Sequence, residues 1–359
     1  MVKVEIIKDS INAQGDRITT FMCSLTQTVV KELLRHRMFS FSSSSMRAIP
    51  AGNVTAETRK DFFLPIAWQK KHKGMQGNEY WEEDDVVRPL KGDDFELPSL
   101  IHFENEWMAA RDSALMSASH LEDMGVTKQL TNRLVETFGF ANILITMTES
   151  ENFYDLRCPI YEHEGRQFKS WRDLLGYLFD KRASREEVDY YENFNVIQKL
   201  EKNVSQAEIH IQELAEAMWD AHNESEPEFL NPGEWHIPFG DRMDDDGINE
   251  VLRLGEVRYN YWDDIDGEHV ELMISAARAA RLSYNTFDGK IDHVKDYKLA
   301  KMLLRERHMS PFEHSAQCMS EEEYSKCVKT VWCKDTQQFY HEEGWLGNFR
   351  GFKQFRQLL

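Results

Sequence analysis

The chain has 359 residues, with 43 Lys plus Arg against 62 Asp plus Glu, and its 41% hydrophobic content is carried with only 18 Gly and 9 Pro. That composition excludes collagen-like, disordered and disulfide-scaffold proteins, and a net charge of −19 excludes a broad nucleic-acid surface, which needs a basic stripe. No apolar run reaches the roughly 18 residues of a membrane span, and Met1-Val2-Lys3-Val4-Glu5-Ile6-Ile7 alternates like a strand, unlike a signal peptide. The expectation is a cytoplasmic protein without membrane or nucleic-acid partners. Cys23, Cys158, Cys318, Cys327 and Cys333 are odd in number and show no CxxC spacing, so buried free thiols are expected, with no structural zinc.

Residues 1–8 and 17–24 alternate like paired strands, and Thr26 precedes Val29, Val30, Leu33 and Leu34 at helical spacing, which predicts a helix ending near Arg35-His36-Arg37. The Ser-rich stretch from Met38 to Pro50 reads as a structured loop, since serines compete for backbone bonds and Pro50 turns its neighbour from the α region. Residues 79–95 are acidic and aperiodic, a solvated connection. Helices are predicted at about 102–123 and 127–138, a buried strand at 140–148 and a short helix at 149–157. Two aromatic-rich helices follow at 167–182 and 184–201, within an inserted subdomain at about 158–204. Ser205 followed by Glu208 has capping-box spacing for a helix to about 221. An Asp-rich loop at 244–246, helices at 268–281 and 293–307, strands near 315–319 and 328–333, and a last helix from 346 complete the reading. The fold class expected is α+β, a mixed or antiparallel sheet carrying long helices.

The chemistry concentrates in Arg35-His36-Arg37 followed by Ser45 and Arg47. Guanidinium forks, hydroxyls and loop N–H groups suit a phosphate. Basic residues also favour helix C-termini for dipole reasons alone, at roughly 0.3–1 kcal/mol each.

The spacing Arg-His-Arg, seven residues, then Ser resembles the signature of the flavin-dependent thymidylate synthases. Ala276-Ala277-Arg278-Ala279-Ala280-Arg281-Leu282-Ser283-Tyr284 with His308-Met309-Ser310-Pro311-Phe312-Glu313-His314 is similar to a second segment of that family. Weaker similarity covers 125–157, including Arg133 and Asn152-Phe153-Tyr154-Asp155-Leu156-Arg157, and Ser205-Gln206-Ala207-Glu208-Ile209. Roughly half of the chain is involved. In common members Ser-Pro-Phe-Glu-His shortly precedes Arg-His-Arg, whereas here it follows about 275 residues later. This permuted order resembles phage-encoded members, which share the features at 45–50, 73–76, 233–236 and 348–351; for such a member the location would be the host cytoplasm.

The resemblance implies a homotetramer that converts dUMP to dTMP, with FAD, NADPH as reductant and methylenetetrahydrofolate as one-carbon donor. It implies that Arg35, His36 and Arg37 contact the flavin, with Arg35 also near the nucleotide. Ser45, Arg47 and Arg133 would hold the dUMP phosphate, and Arg157 would orient the uracil and stabilise charge developing during attack from C5. Ser283, Ser310, Glu313 and the Gln206 position would line the flavin, and His308 the folate. Arg157, Ser45 and His308 are the catalytic candidates. Glu32 stands where Gln is usual, Ser43 where Glu is usual and Gln206 where His is usual, and the flavin-contacting Asn and Arg after the Phe140 strand are missing; Gln354 and Arg356 are candidate substitutes. Alternatives are a hydroxymethylating enzyme, one acting on another pyrimidine nucleotide, or a nucleotide-binding protein without flavin chemistry. A bland reading pairs Glu313 with His314 and puts Trp235 and His236 in the core.

Overall fold

A computed structural model of the chain describes residues 2–73, 77, 79–89, 95–181, 185–254, 266–283, 291–333 and 336–359. The alternation at the start folds into a hairpin of β1 (Lys3–Ile11) and β2 (Arg17–Thr26). Asn12 closes its turn, accepting from the N–H groups of Gln14 and Asp16 at 3.1 and 2.8 Å. The helix expected before Arg35 shrinks to one turn, α1 (Val30–Leu33), with no side-chain cap at Val29.

The loop expected over 38–50 is also corrected. Ser40–Ser43 forms an edge strand, β3, and Met46–Ala48 a 3-10 turn leading into α2 (Ala51–Lys60). Serine is tolerated in β3 because neighbours satisfy its hydroxyls: Gln354 and Asn348 donate to Ser40 Oγ at 2.9 and 3.2 Å, and Ser42 Oγ bonds His314 at 2.9 Å.

Short strands β4 (Val86–Val87) and β5 (Leu97–Pro98) precede α3 (Ser99–Asp123). The helix expected at 127–138 breaks into α4 (Lys128–Thr131) and two 3-10 turns, Asn132–Leu134 and Glu136–Phe138. Asn132 is tied to another segment there, donating to the carbonyls of Met46 and Ile49 at 2.7 and 3.0 Å. β6 (Phe140–Met147) and α5 (Glu151–Arg157) fall where expected.

In 158–204, a hairpin of β7 (Tyr161–His163) and β8 (Arg166–Phe168) precedes α6 (Trp171–Asp180), α7 (Arg185–Glu192) and α8 (Val196–Glu201). The first helix expected, 167–182, is present as α6 with its start taken by β8, and the second, 184–201, splits into α7 and α8; Asn195 starts α8 with its own capping box. Tyr161, Trp171, Leu174, Leu178, Val188, Tyr191 and Phe194 form a separate apolar cluster. Next, α9 (Ile209–Glu224) is capped by Glu208, whose carboxylate accepts from the N–H groups of His210 and Ile211 at 2.8 and 3.0 Å. The capping box expected from Ser205 is therefore displaced.

After β9 (Glu228–Phe229) and β10 (Trp235–His236), the Asp-rich loop expected at 244–246 proves to be the start of α10 (Asp245–Arg253). Asp244 caps it, accepting from Gly247 N–H at 2.7 Å, and the acidic first turn suits the helix dipole. α11 (Gly267–Ser283) and α12 (His293–Arg305) match their 3.6-residue pattern. β11 (Ala316–Cys318), α13 (Glu321–Lys326) and the hairpin β12 (Val328–Cys333) with β13 (Gln338–Glu343) follow. The last helix expected from 346 is replaced by β14 (Trp345–Leu346), β15 (Phe349–Arg350) and β16 (Phe352–Gln354). Gly351 turns the chain there at φ +75°, and an added Cβ would lie 2.3 Å from Asn12 Nδ2.

The central sheet runs β3-β6-β2-β1-β9, antiparallel except for β9, which pairs parallel with β1. It is a mixed sheet in an α+β fold, as expected. Phe21, Cys23, Leu25, Ala141, Ile143, Ile145 and Met147 point to one face and pack on Phe153 and Tyr154 of α5 and Ile211, Leu214 and Met218 of α9. The opposite face meets α11, behind which Val251, Tyr297, Ala300 and Leu303 of α10 and α12 complete another cluster. Among the described residues no helix is long and apolar enough to cross a membrane.

Candidate functional site

The single turn of α1 delivers Glu32, Arg35 and His36 to the α5 side of the sheet. The His36 ring packs between Phe39, stacked at 5.8 Å, and Phe153, edge-on at 4.8 Å. Arg157, at the end of α5, donates from Nε to His36 Nε2 at 3.2 Å and from a terminal nitrogen to Glu32 at 3.2 Å. Burial and the neighbouring guanidinium push the His36 pKa down to about 4, so the ring is neutral near pH 7. Since Nε2 accepts, the ring proton sits on Nδ1. His36 thus orients Arg157.

Arg157, Glu32 and Arg35 line a cavity of about 330 Å³ with Gln69, Tyr80 and the segment from Ser205 to Ile209, including Gln206. Three of the positions picked from sequence, Arg35, Arg157 and Gln206, therefore share one pocket despite their separation along the chain, and His36 buttresses it. A volume of this size suits a small ligand.

Ser45 and Arg47 form a second group. Ser44 carries the β3 ladder one step further, its N–H donating to Asn142 O at 2.8 Å and its Oγ accepting from Asn142 N–H at 2.9 Å. Ser45 then stays extended, and the following turn brings Arg47 Nε to 3.4 Å from Ser45 Oγ. The Asn132 bonds fasten the next-door turn carrying Arg133 to this segment. Arg35, Arg37, Arg47 and Arg133 are all exposed, and among the described residues none has a carboxylate partner. Elsewhere Arg17, Arg242, Arg350 and Arg356 each meet a carboxylate. In a chain so acidic, four uncompensated guanidiniums at these positions are open to anions.

The third group stays apart from the Arg35 pocket, which none of Ser283, His308, Ser310 and Glu313 lines. Ser283 ends α11 half-buried, and His308 and Ser310 are exposed. Ser310–Glu313 forms a 3-10 turn in which Glu313 pairs with Arg356, not with His314. Gln354 bonds Ser40 and the Glu313 carbonyl. Tyr284 and residues 74–76, parts of the motifs above, lie outside the described residues.

A buried polar chain was not anticipated. Ser10 Oγ lies 3.0 Å from His236 Nδ1, whose Nε2 lies 2.8 Å from Thr20 Oγ1; Thr20 and Thr146 hydroxyls meet at 2.8 Å. Thr146 Oγ1 is 2.9 Å from His314 Nδ1, and His314 Nε2 is 2.9 Å from Ser42 Oγ. The chain crosses four neighbouring strands on the α11 face. Burial pushes the pKa of each histidine down to about 3. The only sequence signal was a hydroxyl residue at an inward position on each strand. His236 is fully buried, in agreement with its core reading.

Cys23, Cys158 and Cys318 are buried, and burial raises each thiol's pKa, that of Cys318 to about 11. None of these three is a ready nucleophile near neutral pH. The Cys333 side chain lies outside the description.

No family model matches the chain, and no curated protein matches it. Among solved structures it is similar to a UMP/dUMP methylase, PolB from Streptomyces cacaoi, bound with 5-Br dUMP. The identity is 14% and the TM-score 0.36, over 62% of this chain and 90% of that one. The same enzyme bound with 5-Br UMP matches at 14% identity and TM-score 0.38, over 62% of this chain and 89% of the other. Likeness at this level decides neither fold nor activity.

Proposed function

We propose that the protein is a flavin-dependent thymidylate synthase, transferring a one-carbon unit from methylenetetrahydrofolate to C5 of dUMP, with FAD reduced by NADPH. The observation that carries this reading is the set of open guanidiniums around the Arg-His-Arg motif: Arg35 in a pocket with Arg157, and Arg37, Arg47 and Arg133 exposed without carboxylate partners among the described residues. This donor set fits the phosphate of dUMP and the pyrophosphate of a flavin dinucleotide. Arg157, held by neutral His36, would place its cation beside a uracil carbonyl oxygen, where negative charge develops as C5 attacks. Ser45 and Arg47 would grip the phosphate. The flavin, when bound, supplies the electrons that reduce the transferred carbon. The buried state of Cys23, Cys158 and Cys318 accords with a mechanism that needs no thiol nucleophile.

Arg37 precedes β3 and Ser45 follows it, so the two arginine groups stand at opposite ends of that strand. A homotetramer would let one copy complete the site of another, and this spacing is what supports it.

A second reading rests on the Glu32–Arg157 pair at 3.2 Å. A carboxylate already holding Arg157 changes which edge of the base can be recognised, which favours another pyrimidine nucleotide or a hydroxymethylated product. Mass analysis of the nucleotide separates these readings. dUMP would be incubated with FAD, NADPH and methylenetetrahydrofolate, each omitted in turn. Formation of dTMP only with the complete mixture is the expected result. A hydroxymethyl product moves the assignment to the second reading, and unchanged dUMP with another pyrimidine nucleotide consumed does the same. No turnover of any pyrimidine nucleotide refutes both.

A further inference from the structure

A cavity of about 610 Å³ lies on the other side of the segment that walls the Arg35 pocket. Residues 68–70 and 79–81 form a short antiparallel ladder. Gln69 bridges Tyr80, Lys70 N–H donates to Glu79 O at 2.8 Å and Trp81 N–H donates to Trp68 O at 2.8 Å. Side chains alternate across such a ladder. Gln69 and Tyr80 accordingly line the Arg35 pocket, and Trp68 and Trp81 line the second cavity.

The walls of this cavity are aromatic and its rim is acidic. Phe103 of α3 meets Trp68 at 5.5 Å and Trp81 at 5.3 Å between ring centroids, and Trp107 braces Trp68 at 5.9 Å. Pro65, Ile66, Leu100 and Ile197 supply further apolar lining. Around them stand Glu82, Glu83, Asp84, Glu104 and Glu201. Among the described residues none of these five carboxylates has an ion-pair partner, although Asp85, the next residue, is neutralised by Lys70 at 2.9 Å. The ammonium of Lys70 also lies 5.1 Å from the Trp81 ring centre, so this ring already receives an alkylammonium within the fold.

We propose that this cavity binds an organic polyamine, a flexible chain carrying two or more alkylammonium groups. Indole faces attract such cations and favour them over compact hydrated metal ions. Among the described residues no group of His, Cys, Asp and Glu has the arrangement to hold a metal. Five carboxylates without ion-pair partners among the described residues, four of them exposed, complement a ligand of several positive charges, and the apolar lining suits the methylene stems between them. A nucleotide phosphate is repelled by the same rim. The site is separate from the proposed substrate pocket, and its occupancy does not depend on the reading given above.

The test is calorimetric titration of the full chain with spermidine at low and moderate salt. A neutral diol of similar length and magnesium chloride at matched ionic strength serve as comparators. Saturable binding of spermidine at one molecule per chain is expected, weakening as salt rises, with no binding of the diol. Trp81→Leu, which keeps an apolar wall and removes the ring, should weaken binding about fivefold to thirtyfold. The Glu83→Gln/Asp84→Asn pair should weaken it about tenfold and flatten the salt dependence. Absence of saturable binding overturns the proposal, as does magnesium competing as well as spermidine does. Glu83 and Asp84 are exposed, so their amide variants fold whatever Trp81→Leu does, and unchanged affinity in that pair is sufficient to overturn it.

Discussion

Thr146→Val replaces a buried hydroxyl by a methyl of the same shape and cuts the polar chain at its middle. Thr146 Oγ1 holds two bonds, 2.8 Å to Thr20 Oγ1 and 2.9 Å to His314 Nδ1, and all three residues are almost wholly buried. Each neutral histidine has one N–H and each hydroxyl one proton, so the five bonds along Ser10, His236, Thr20, Thr146, His314 and Ser42 can all be made with the donors pointing in one common direction. Removing the Thr146 hydroxyl leaves Thr20 its bond to His236 and His314 its bond to Ser42, but strips His314 Nδ1 of its partner. One stranded buried polar atom costs about 1–3 kcal/mol, and the methyl recovers little because the volume is unchanged. Urea denaturation should show a lower midpoint with the same slope, since the surface exposed on unfolding is conserved. Thr20→Val with Thr146→Val should cost less than the sum of the single changes, because they break a shared bond. A loss below about 0.5 kcal/mol in Thr146→Val, the range of ordinary surface substitutions, would refute the chain as a structural element.

Two further outcomes follow from the site and from the buried histidines. On the proposed function, Arg47→Ala should raise the KM for dUMP about tenfold to hundredfold, because a charged phosphate bond of about 1.5–3 kcal/mol would be lost; unchanged saturation removes Arg47 from the proposed phosphate site. His236 and His314, with pKa pushed down by burial to about 3, bind protons in the unfolded chain before the folded one. Stability should therefore fall as pH drops below about 6.5, by up to about 1.4 kcal/mol per unit for each, with His36 adding to the trend. Glu216, raised to about 7 chiefly by its burial, acts oppositely, gaining stability as pH falls from about 7 towards its unfolded value, and the smaller upward shifts of Glu149, Asp220, Glu268 and Glu271 act the same way, against the larger downward shifts of His36, His222, His236 and His314. Melting temperatures between pH 7 and 5 that rise on acidification would contradict that sum.

The sequence was most legible where one period persists. Alternation located β1 and β2, the reading of 140–148 as a buried strand located β6, and the 3.6-residue pattern located α11 and α12. It failed where side chains from distant segments decide the outcome. The serines of residues 40–43 look like a loop until Gln354, Asn348 and His314 are placed beside them. The helix expected at 127–138 breaks where Asn132 serves the carbonyls of Met46 and Ile49. Likewise the helix expected from 346 gives way to short strands, because Gly351 at positive φ turns the chain against Asn12 and Asp16. At the candidate site, the Arg-His-Arg spacing singled out Arg35 and His36, and the structure brings both beside Arg157. The resemblance named Arg157 and His36 in separate roles, and nothing in the sequence announced that they would touch or that Glu32 would take the second contact of Arg157.

The polar chain and the candidate site meet at β3. Among the described residues that strand has a backbone partner on one side only, β6, and its other side is held by side chains. His314 reaches Ser42, Gln354 reaches Ser40, and Asn348 reaches both Ser40 and the Met38 carbonyl. The strand in turn fixes how far the Arg35–Arg37 group stands from Ser45 and Arg47. A four-residue edge strand gains little from its own pairing, so its position depends on these clamps. His314 lies in the segment that resembles the flavin-lining motif, but its ring is buried and bonded to Thr146 and Ser42 of the sheet. Its contribution would be to positioning: loosening β3 should disturb both arginine groups together, whereas loss of Arg47 alone should leave the Arg35 pocket intact.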